Sequence, residues 1–181
     1  MPLQLTLRPA LPDDASVLAA FASTAFRDTY RDLDDPQDIA DYVAEHFTPE
    51  VLAQDIADPS CMTLLAEADS VLVGYAVIKQ SSPPDCVEGP APIELARLYL
   101  GHKHIGRGYG AQLMLAVHAE ARRQGAQTLW LGVYDRNLRA VRFYEQFGFR
   151  KVGGKEFLFG GQVYIDPIYA APVRGNEWSH P

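Results

Sequence analysis

Apolar residues recur along the chain with two spacings, the alternation typical of β-strands and the three-to-four-residue repeat typical of amphipathic helices. Leu3, Leu5 and Leu7 alternate with polar neighbours and predict a first strand over residues 3–10. Three helices are predicted next, because cap residues precede three apolar stripes of helical spacing. The caps are Asp13 or Asp14, Asp35 before Pro36, and Thr48 before Pro49. These helices would form a movable cover or one wall of a cleft.

The rest of the chain alternates between strand and helix patterns. The predicted elements are a hairpin of strands 63–68 and 71–79, a proline-rich loop over 81–92, a buried strand over 93–100, a helix to residue 124, a strand over 129–134, a helix over 137–147, and final strands over 149–152 and 162–169 separated by a glycine-rich turn. Because a helix joins the strands over 93–100 and 129–134, these two strands should be parallel. The fold class is mixed α/β, with a sheet that is partly antiparallel and partly parallel.

A glycine-rich turn follows the buried strand at residues 93–100. Gly106, Gly108 and Gly110 alternate with other residues, and a helical pattern begins at once. Such a turn can aim consecutive backbone N–H groups at a phosphate beside a helix N-terminus. The turn also fits the loose dinucleotide pattern G-x-G-x-x-G/A, or it is a flexible connection without a ligand. A dinucleotide site is disfavoured because that motif should follow the first strand. No G-x-x-x-x-G-K-[ST] pattern is present, which excludes a P-loop.

Composition narrows the class of protein. With 181 residues and 48% hydrophobic content, the chain suits one domain, predicted over residues 1–176, while residues 177–181 match the beginning of a common affinity tag. No apolar run reaches the length of a transmembrane helix and no signal pattern opens the chain, so we expect a cytoplasmic protein. Cys61 and Cys86 are not spaced as a redox or zinc motif, which fits a reducing compartment. The net charge of −7 argues against a nucleic-acid partner and leaves room for a cationic one.

Two motifs stand in order in the second half of the chain, the glycine turn at 106–110 and the pattern N-x-x-A-x-x-F-Y-x-x-x-G-F at 137–149. Together they resemble the GNAT family, the GCN5-related N-acetyltransferases, and the order of predicted elements is similar too. The segments FRDTY, YVAEHFTPEVL, DPSC, VGYAVI, ELARLYL and LWLGVYDRN resemble its PaiA-like branch, which is associated with acetylation of polyamines. The resemblance implies the GNAT fold, a mixed sheet splayed between its two central parallel strands, with helices on both faces.

The resemblance also implies acetyl-CoA as co-substrate, and no metal is expected. The residues expected to contact acetyl-CoA are Leu98, Tyr99, Leu100, Ile105, Gly106, Arg107, Gly108, Tyr109, Gly110, Ala111, Asn137, Ala140 and Tyr144. In this family the turn binds the pyrophosphate, and the pantetheine arm pairs like a strand with residues 98–100. The two parallel strands should therefore separate after Leu100 and Tyr134, which a bulge near the middle of the central strand would permit.

One position departs from the family's pattern. Ile105 stands where the family motif begins with Gln or Arg, so one polar contact to the pyrophosphate is missing. Lys103, His104 or Arg107 could compensate, and the backbone amides remain. The departure bears on the affinity for the cofactor more than on its identity.

Acetyl transfer to an amine needs a group that takes a proton, because an alkylamine with a pKa near ~10.4 is protonated at neutral pH. Glu94 lies sixteen residues before Gly110, a spacing that resembles the family's histone-modifying members, where a strand glutamate is the base. The alternatives for Glu94 are an ion pair with a cation such as Arg97, or exposure to solvent.

The leaving thiolate needs a proton donor. Tyr144 matches the family's general acid, and its alternative is a core aromatic position. Asn137 matches a cofactor contact, but it is also a favoured N-cap residue, and it can serve as both. The resemblance assigns stabilisation of the carbonyl oxyanion to a backbone N–H near Leu98 or Tyr99.

The acceptor is predicted to be a small-molecule primary amine, with a polyamine as one candidate. A cluster of acidic residues would favour a polyamine if it lined the acceptor cleft: Asp28, Asp32, Asp34, Asp35, Asp38 and Asp41. Otherwise this cluster is a solvated helix face. The alternatives are a protein N-terminus or lysine as acceptor, and a non-catalytic acyl-CoA-binding module. His102 and His104 could suggest a metal, but no further ligands stand at the spacing of a metal site. Neither a nucleic acid nor a membrane is expected as partner. A homodimer is a possible assembly.

Overall fold

The computed structural model describes residues 5–175, so Leu3 and the predicted tag residues 177–181 lie outside the described part of the chain. The strands within this range are β1 (Leu5–Pro9), β2 (Cys61–Ala68), β3 (Val71–Lys79), β4 (Pro92–Leu100), β5 (Thr128–Gly132), β6 (Arg150–Phe159) and β7 (Gln162–Pro172). The α-helices are α1 (Ala15–Tyr30), α2 (Pro36–His46), α3 (Pro49–Ala57), α4 (Tyr109–Arg123) and α5 (Leu138–Gln146). None of these helices combines the length and apolar character needed to cross a membrane.

The described strands form one mixed sheet in the order β1-β2-β3-β4-β5-β7-β6. Strands β4 and β5 are parallel, as predicted, and every other neighbouring pair is antiparallel. The tight turn between β2 and β3 places both Asp69 and Ser70 at positive φ, which suits the turn of a two-residue hairpin. The mixed α/β class and the sheet's parallel centre are therefore confirmed.

The two parallel strands separate earlier than the sequence predicts. Their pairing consists of three matched positions and ends at Glu94 and Trp130, so the predicted separation after Leu100 and Tyr134 was wrong. The predicted bulge is present and explains the difference. The register between β3 and β4 shifts around Ala96, which has no partner on β3, and such an extra residue bends its strand. Beyond Glu94, no strand within residues 5–175 pairs with the edge of β4 that faces β5.

Helices cover both faces of the sheet. Helices α4 and α5 pack on one face around fully buried residues such as Leu113 and Met114. Helices α1, α2 and α3 pack on the other face, where Leu18 and Leu52 are fully buried. Each such side chain contributes about 1.5–3 kcal/mol by its removal from water. The central strands are therefore held by apolar packing on both faces.

Side-chain caps begin helices α2 and α3. Asp35 accepts a hydrogen bond from the Gln37 N–H at 2.8 Å, and Thr48 accepts one from Val51 at 3.3 Å, as their positions predict. Asp14 precedes α1 but does not cap it. Its carboxylate instead forms an ion pair with Arg8 at 2.7 Å, which lowers the pKa of Asp14 to about 2. This ion pair connects β1 to the N-terminal end of α1.

The last hairpin is longer than predicted, because residues 153–159 continue β6 where a glycine-rich turn was expected. The turn consists of Gly160 and Gly161, both at positive φ. Gly153 and Gly154 instead stand where other chain segments come close, since a Cβ atom would lie 2.5 Å from Cys86 and 2.7 Å from Ile165, respectively. Residues 153–167, named here the β6–β7 arm, pair with each other and extend past the end of β5.

Candidate active site

Two cavities open beside β4 where β4 and β5 separate. The first, named the glycine-turn cavity, has a volume of about 380 Å³. The second, named the aromatic cavity, has a volume of about 150 Å³. The residues that line both are Leu98, Tyr99, Asn137, Ala140 and Tyr144. The cavities therefore meet at the C-terminal half of β4 and the first turns of α5.

The glycine turn presents an open surface to its cavity. Gly106 and Gly108 have φ values of 81° and 79°, and a Cβ atom on either would meet no atom within 4 Å. Gly108 directly precedes α4, so the turn ends at a helix N-terminus. Positive φ and free space together make this backbone accessible to an anion, which the helix dipole would stabilise.

Most residues predicted to contact the cofactor line the glycine-turn cavity. They are Leu98, Tyr99, Leu100, Ile105, Gly106, Gly108, Gly110, Ala111, Asn137, Ala140 and Tyr144. The side chains of Arg107 and Tyr109 do not line it, since Arg107 is exposed and Tyr109, the first residue of α4, is buried in the core. For these two residues the predicted contact rests on the backbone amides of the turn.

The cationic groups near Ile105 differ in their suitability as replacements for the missing polar contact. Burial and the neighbouring Arg107 and Lys103 charges lower the pKa of His104, so its imidazole is neutral at pH 7. Lys103 and Arg107 are exposed. Arg139 lines the glycine-turn cavity from α5 and was not predicted from the sequence. It is a cation available to an anion in this cavity.

The first turns of α5 place Asn137 and Tyr144 at the junction of the cavities. The Asn137 Oδ1 accepts a hydrogen bond from the Ala140 N–H at 3.2 Å, so Asn137 is an N-cap as well as a lining residue. Tyr144 is 8% exposed, and its hydroxyl makes no hydrogen bond with any residue in the described range. Burial, and to a lesser extent Tyr30, raise the pKa of the Tyr144 phenol. The hydroxyl is thus protonated at neutral pH and faces the cavities without a partner.

The aromatic cavity is enclosed by side chains from six separate parts of the chain. Its aromatic lining consists of Phe26, Tyr30, Tyr42, Tyr99, Tyr134, Tyr144, Phe157, Phe159 and Tyr164. The rings of Phe157 and Phe159 on the β6–β7 arm lie 6.3 and 5.7 Å from Tyr42 on α2. The arm and α2 therefore meet over the cavity.

Three charged residues line the aromatic cavity. Arg97 donates to Asp55 at 2.9 Å and lies 5.1 Å from the centre of the Phe47 ring. Asp34 accepts a hydrogen bond from the Tyr134 hydroxyl at 3.0 Å. Asp166 is half-buried, and burial together with the Asp135 charge raises its pKa. A carboxylate in such a setting is stabilised by a cation.

The acidic cluster predicted on the first helices lies mostly outside the aromatic cavity. Asp34 lines the aromatic cavity, whereas Asp35 caps α2 and Asp28 pairs with Arg31. Four of the cluster line a shallow outer hollow that shares Asp34 and Tyr164 with the aromatic cavity: Asp32, Asp34, Asp35 and Asp38. The cluster borders the cavity through Asp34 and does not surround it.

Glu94 lies apart from the junction of the cavities. It is in the part of β4 that still pairs with β5, and it lines neither cavity. Its carboxylate accepts a hydrogen bond from the Ser81 hydroxyl on the loop before β4. The alternative ion pair with Arg97 was wrong, because Arg97 pairs with Asp55. The role of Glu94 as base stays a prediction.

Tyr30 is a lining residue that sequence reasoning missed. Burial raises the pKa of its phenol to about 12, although contacts with the Tyr99 and Asn137 side chains act in the opposite direction. Tyr30 ends α1 and reaches the junction from the opposite face of the sheet. The sequence pattern around Tyr30 did not indicate that this residue contacts the junction. The pattern around the arm residues Tyr164 and Asp166 did not indicate their place in the cavity either.

Comparison with known proteins agrees with this geometry. The chain matches the model of the Acetyltransferase (GNAT) family over residues 24–149. An uncharacterised N-acetyltransferase of Mycobacterium bovis is 35% identical over 155 residues, which cover 86% of this chain and 95% of the relative.

Solved structures share the fold. The PaiA N-acetyltransferase of Thermoplasma acidophilum, in complex with coenzyme A, superposes with a TM-score of 0.78 at 22% identity, covering 94% of this chain and 99% of that one. The acetyltransferase YncA of Salmonella typhimurium, with acetyl-CoA, gives a TM-score of 0.63 at 20% identity and covers 96% of each chain.

Proposed function

The chain belongs to the acetyltransferase (GNAT) family, and we propose that it transfers the acetyl group of acetyl-CoA directly to a primary amine of a small cationic molecule, such as a polyamine. The observation that carries this proposal is the meeting of the two cavities at Leu98, Tyr99 and Tyr144. A thioester in one cavity and an amine in the other would meet there. Holding two reactants together in this way supplies much of the rate of such a transfer.

The glycine-turn cavity suits acetyl-CoA as donor. Its pyrophosphate is an anion, for which the backbone N–H groups of residues 105–111, the N-terminus of α4 and Arg139 are suitable partners. The amides of its pantetheine arm match the unpaired edge of β4 at residues 98–100. Two structures with this fold hold coenzyme A or acetyl-CoA, which supports the same donor here.

The junction offers groups for two steps of the transfer, the stabilisation of the oxyanion and the protonation of the thiolate. As the amine nitrogen bonds to the acetyl carbon, the carbonyl oxygen gains negative charge, and a backbone N–H near Leu98 or Tyr99 is the expected donor to it. The nitrogen loses a proton to a base, and the carbon–sulfur bond breaks. Tyr144, with its protonated and unpartnered hydroxyl, supplies a proton to the thiolate. The products are an N-acetylated amine and coenzyme A.

The form of the aromatic cavity favours a small acceptor over a protein. The β6–β7 arm meets α2 above the cavity, and the Tyr134–Asp34 hydrogen bond joins the loop after α1 to the segment after β5. An extended peptide needs an open groove, which this closure opposes. The aromatic rings, with Asp34 and Asp166, suit a cation, because ring faces and carboxylates both attract positive charge.

A panel of acceptors tests this proposal. Purified protein with acetyl-CoA should release coenzyme A rapidly with polyamines or diamines, and slowly or not at all with lysine peptides and aminoglycosides. Rapid release with lysine peptides alone would favour a protein acceptor. Tight binding of acetyl-CoA without release on any acceptor would favour a non-catalytic acyl-CoA-binding module.

A further inference from the structure

Asp166 lies on the face of the β6–β7 arm that is turned towards the aromatic cavity. It follows Tyr164 by two residues on β7, so both share one face of the strand, and Tyr164 pairs with Phe157 on β6. Tyr164, Phe157 and Asp166 all line the cavity. The arm thus places one carboxylate in the lining of the cavity, on the same strand face as Tyr164.

Within residues 5–175, the Asp166 carboxylate makes no hydrogen bond or ion pair, in contrast to the other charged groups of the cavity. Asp34 accepts from Tyr134, and Arg97 pairs with Asp55. Lys155 is opposite Asp166 across the two strands, but it is exposed and forms no ion pair with it. A half-buried carboxylate without a partner is costly, and such groups are characteristic of ligand sites.

The surroundings of Asp166 are suited to a cation in particular. Its negative charge reaches the phenols of Tyr30 and Tyr42, where it contributes to the rise of both pKa values. The Asp135 charge adds to the negative potential at Asp166. An ammonium group here would neutralise the carboxylate and contact ring faces at the same time.

Tyr30 connects this position to the junction of the cavities. Its side chain contacts Tyr99 and Asn137, which line both cavities, and it also lies within the reach of the Asp166 charge. A molecule with its reacting nitrogen near Tyr99 would therefore extend past Tyr30 towards Asp166.

We propose that the Asp166 carboxylate binds a second, non-reacting ammonium group of the acceptor, and that it thereby selects diamines over monoamines of the same length. This inference rests on the proposed acetyltransferase function. The ammonium group at Asp166 keeps its proton throughout the reaction, and the nitrogen that is acetylated lies at the other end of the acceptor.

The test compares diaminobutane with butylamine, which have the same carbon chain and differ by one amine. Asp166→Asn should raise the KM for diaminobutane about ten- to a hundredfold, since a hydrogen bond to a charged group is lost, with a small change in kcat. The KM for butylamine should rise by a clearly smaller factor, because this amine has no second ammonium group. Asp166→Glu should restore part of the preference for the diamine.

The control is Glu156→Gln, which removes one negative charge from the outer face of the same arm. It should leave both acceptors unaffected, and unchanged acetyl-CoA affinity of Asp166→Asn shows that this variant is folded. An equal fall in kcat for both amines would overturn the proposal, because Asp166 would then act at the reacting nitrogen. Unchanged constants for diaminobutane would overturn it as well.

The outcome is separable from that of the proposed function. If the wild-type protein acetylates neither amine, the proposed function fails for these acceptors, and calorimetric titration of diaminobutane into the protein loaded with coenzyme A still tests the subsite. Weaker binding to Asp166→Asn than to Glu156→Gln supports the inference, and equal binding overturns it.

Discussion

The glycine-turn cavity and the aromatic cavity share one wall but are built in different ways. The first is formed mainly by two continuous segments, residues 98–111 and 137–147, and it offers backbone amides beside a helix N-terminus. The second is formed by side chains from α1, α2, β4, the segment after β5, α5 and the β6–β7 arm. A backbone site needs glycines at fixed spacing and is therefore visible in the sequence. A side-chain site assembled from distant segments leaves no local pattern.

The largest expected effect concerns Tyr144, which lines both cavities, so this prediction does not distinguish the donor site from the acceptor site. Tyr144→Phe should lower kcat about 10²–10⁴-fold for every acceptor, because the proton donor to the thiolate is lost, with little change in acetyl-CoA affinity. Steady-state kinetics and a binding titration measure this. Tyr169→Phe is the control, since Tyr169 is buried in the same core but lines neither cavity. Unchanged kcat for Tyr144→Phe would remove its role as acid.

The second-largest effect should be confined to the glycine-turn cavity and leave the aromatic cavity unaffected. Gly108→Ala places a methyl group on the open surface of the turn at φ 79°, so the KM for acetyl-CoA should rise about tenfold while the KM for the amine stays constant. Gly125→Ala is a matched control, because Gly125 has φ 78° and equally free space at the end of α4. An equal loss of thermal stability in both variants, without a change in KM, would contradict phosphate binding by the turn.

A smaller effect should be confined to the aromatic cavity. Tyr134→Phe removes the hydrogen bond to Asp34, which joins two residues of the cavity lining, and the KM for the amine should rise about two- to tenfold. Acetyl-CoA affinity should stay the same. A double-mutant cycle with Asp34→Ala measures the coupling between the two side chains, and zero coupling would show that this hydrogen bond does not contribute to acceptor binding.

The smallest effect is expected for Glu94, because the role predicted from the sequence disagrees with the position of this residue in the structure. As a general base it would be worth about 10²–10⁴-fold in kcat. The Glu94 carboxylate accepts a hydrogen bond from Ser81, and Glu94 lines neither cavity. We therefore expect Glu94→Gln to lower kcat by less than about tenfold. Ser81→Ala is the companion variant. A hundredfold loss, with a shift in the acidic limb of the pH–rate profile, would support Glu94 as the base.

Much of the fold followed from local patterns. The caps at Asp35 and Thr48 and the turn at Asp69-Ser70 marked where elements begin and end, since the physics of caps and turns involves neighbouring residues. The last hairpin was mispredicted because Gly153 and Gly154 indicated a turn. Their small size serves the close approach of Cys86 and Ile165, and no local pattern shows such a contact.

The sequence by itself determined the order of elements, the parallel pair at the centre and the glycine turn, since these depend on residue spacing along one segment. Tyr144 was singled out by the resemblance to the GNAT family. Tertiary structure decided where the parallel strands separate, because a single bulge at Ala96 shifts the register beyond the reach of a count of residues. It also decided which carboxylate enters the aromatic cavity. Asp166 and Glu94 are both strand carboxylates in the sequence, and only the folded sheet turns Asp166 towards the cavity and Glu94 towards Ser81.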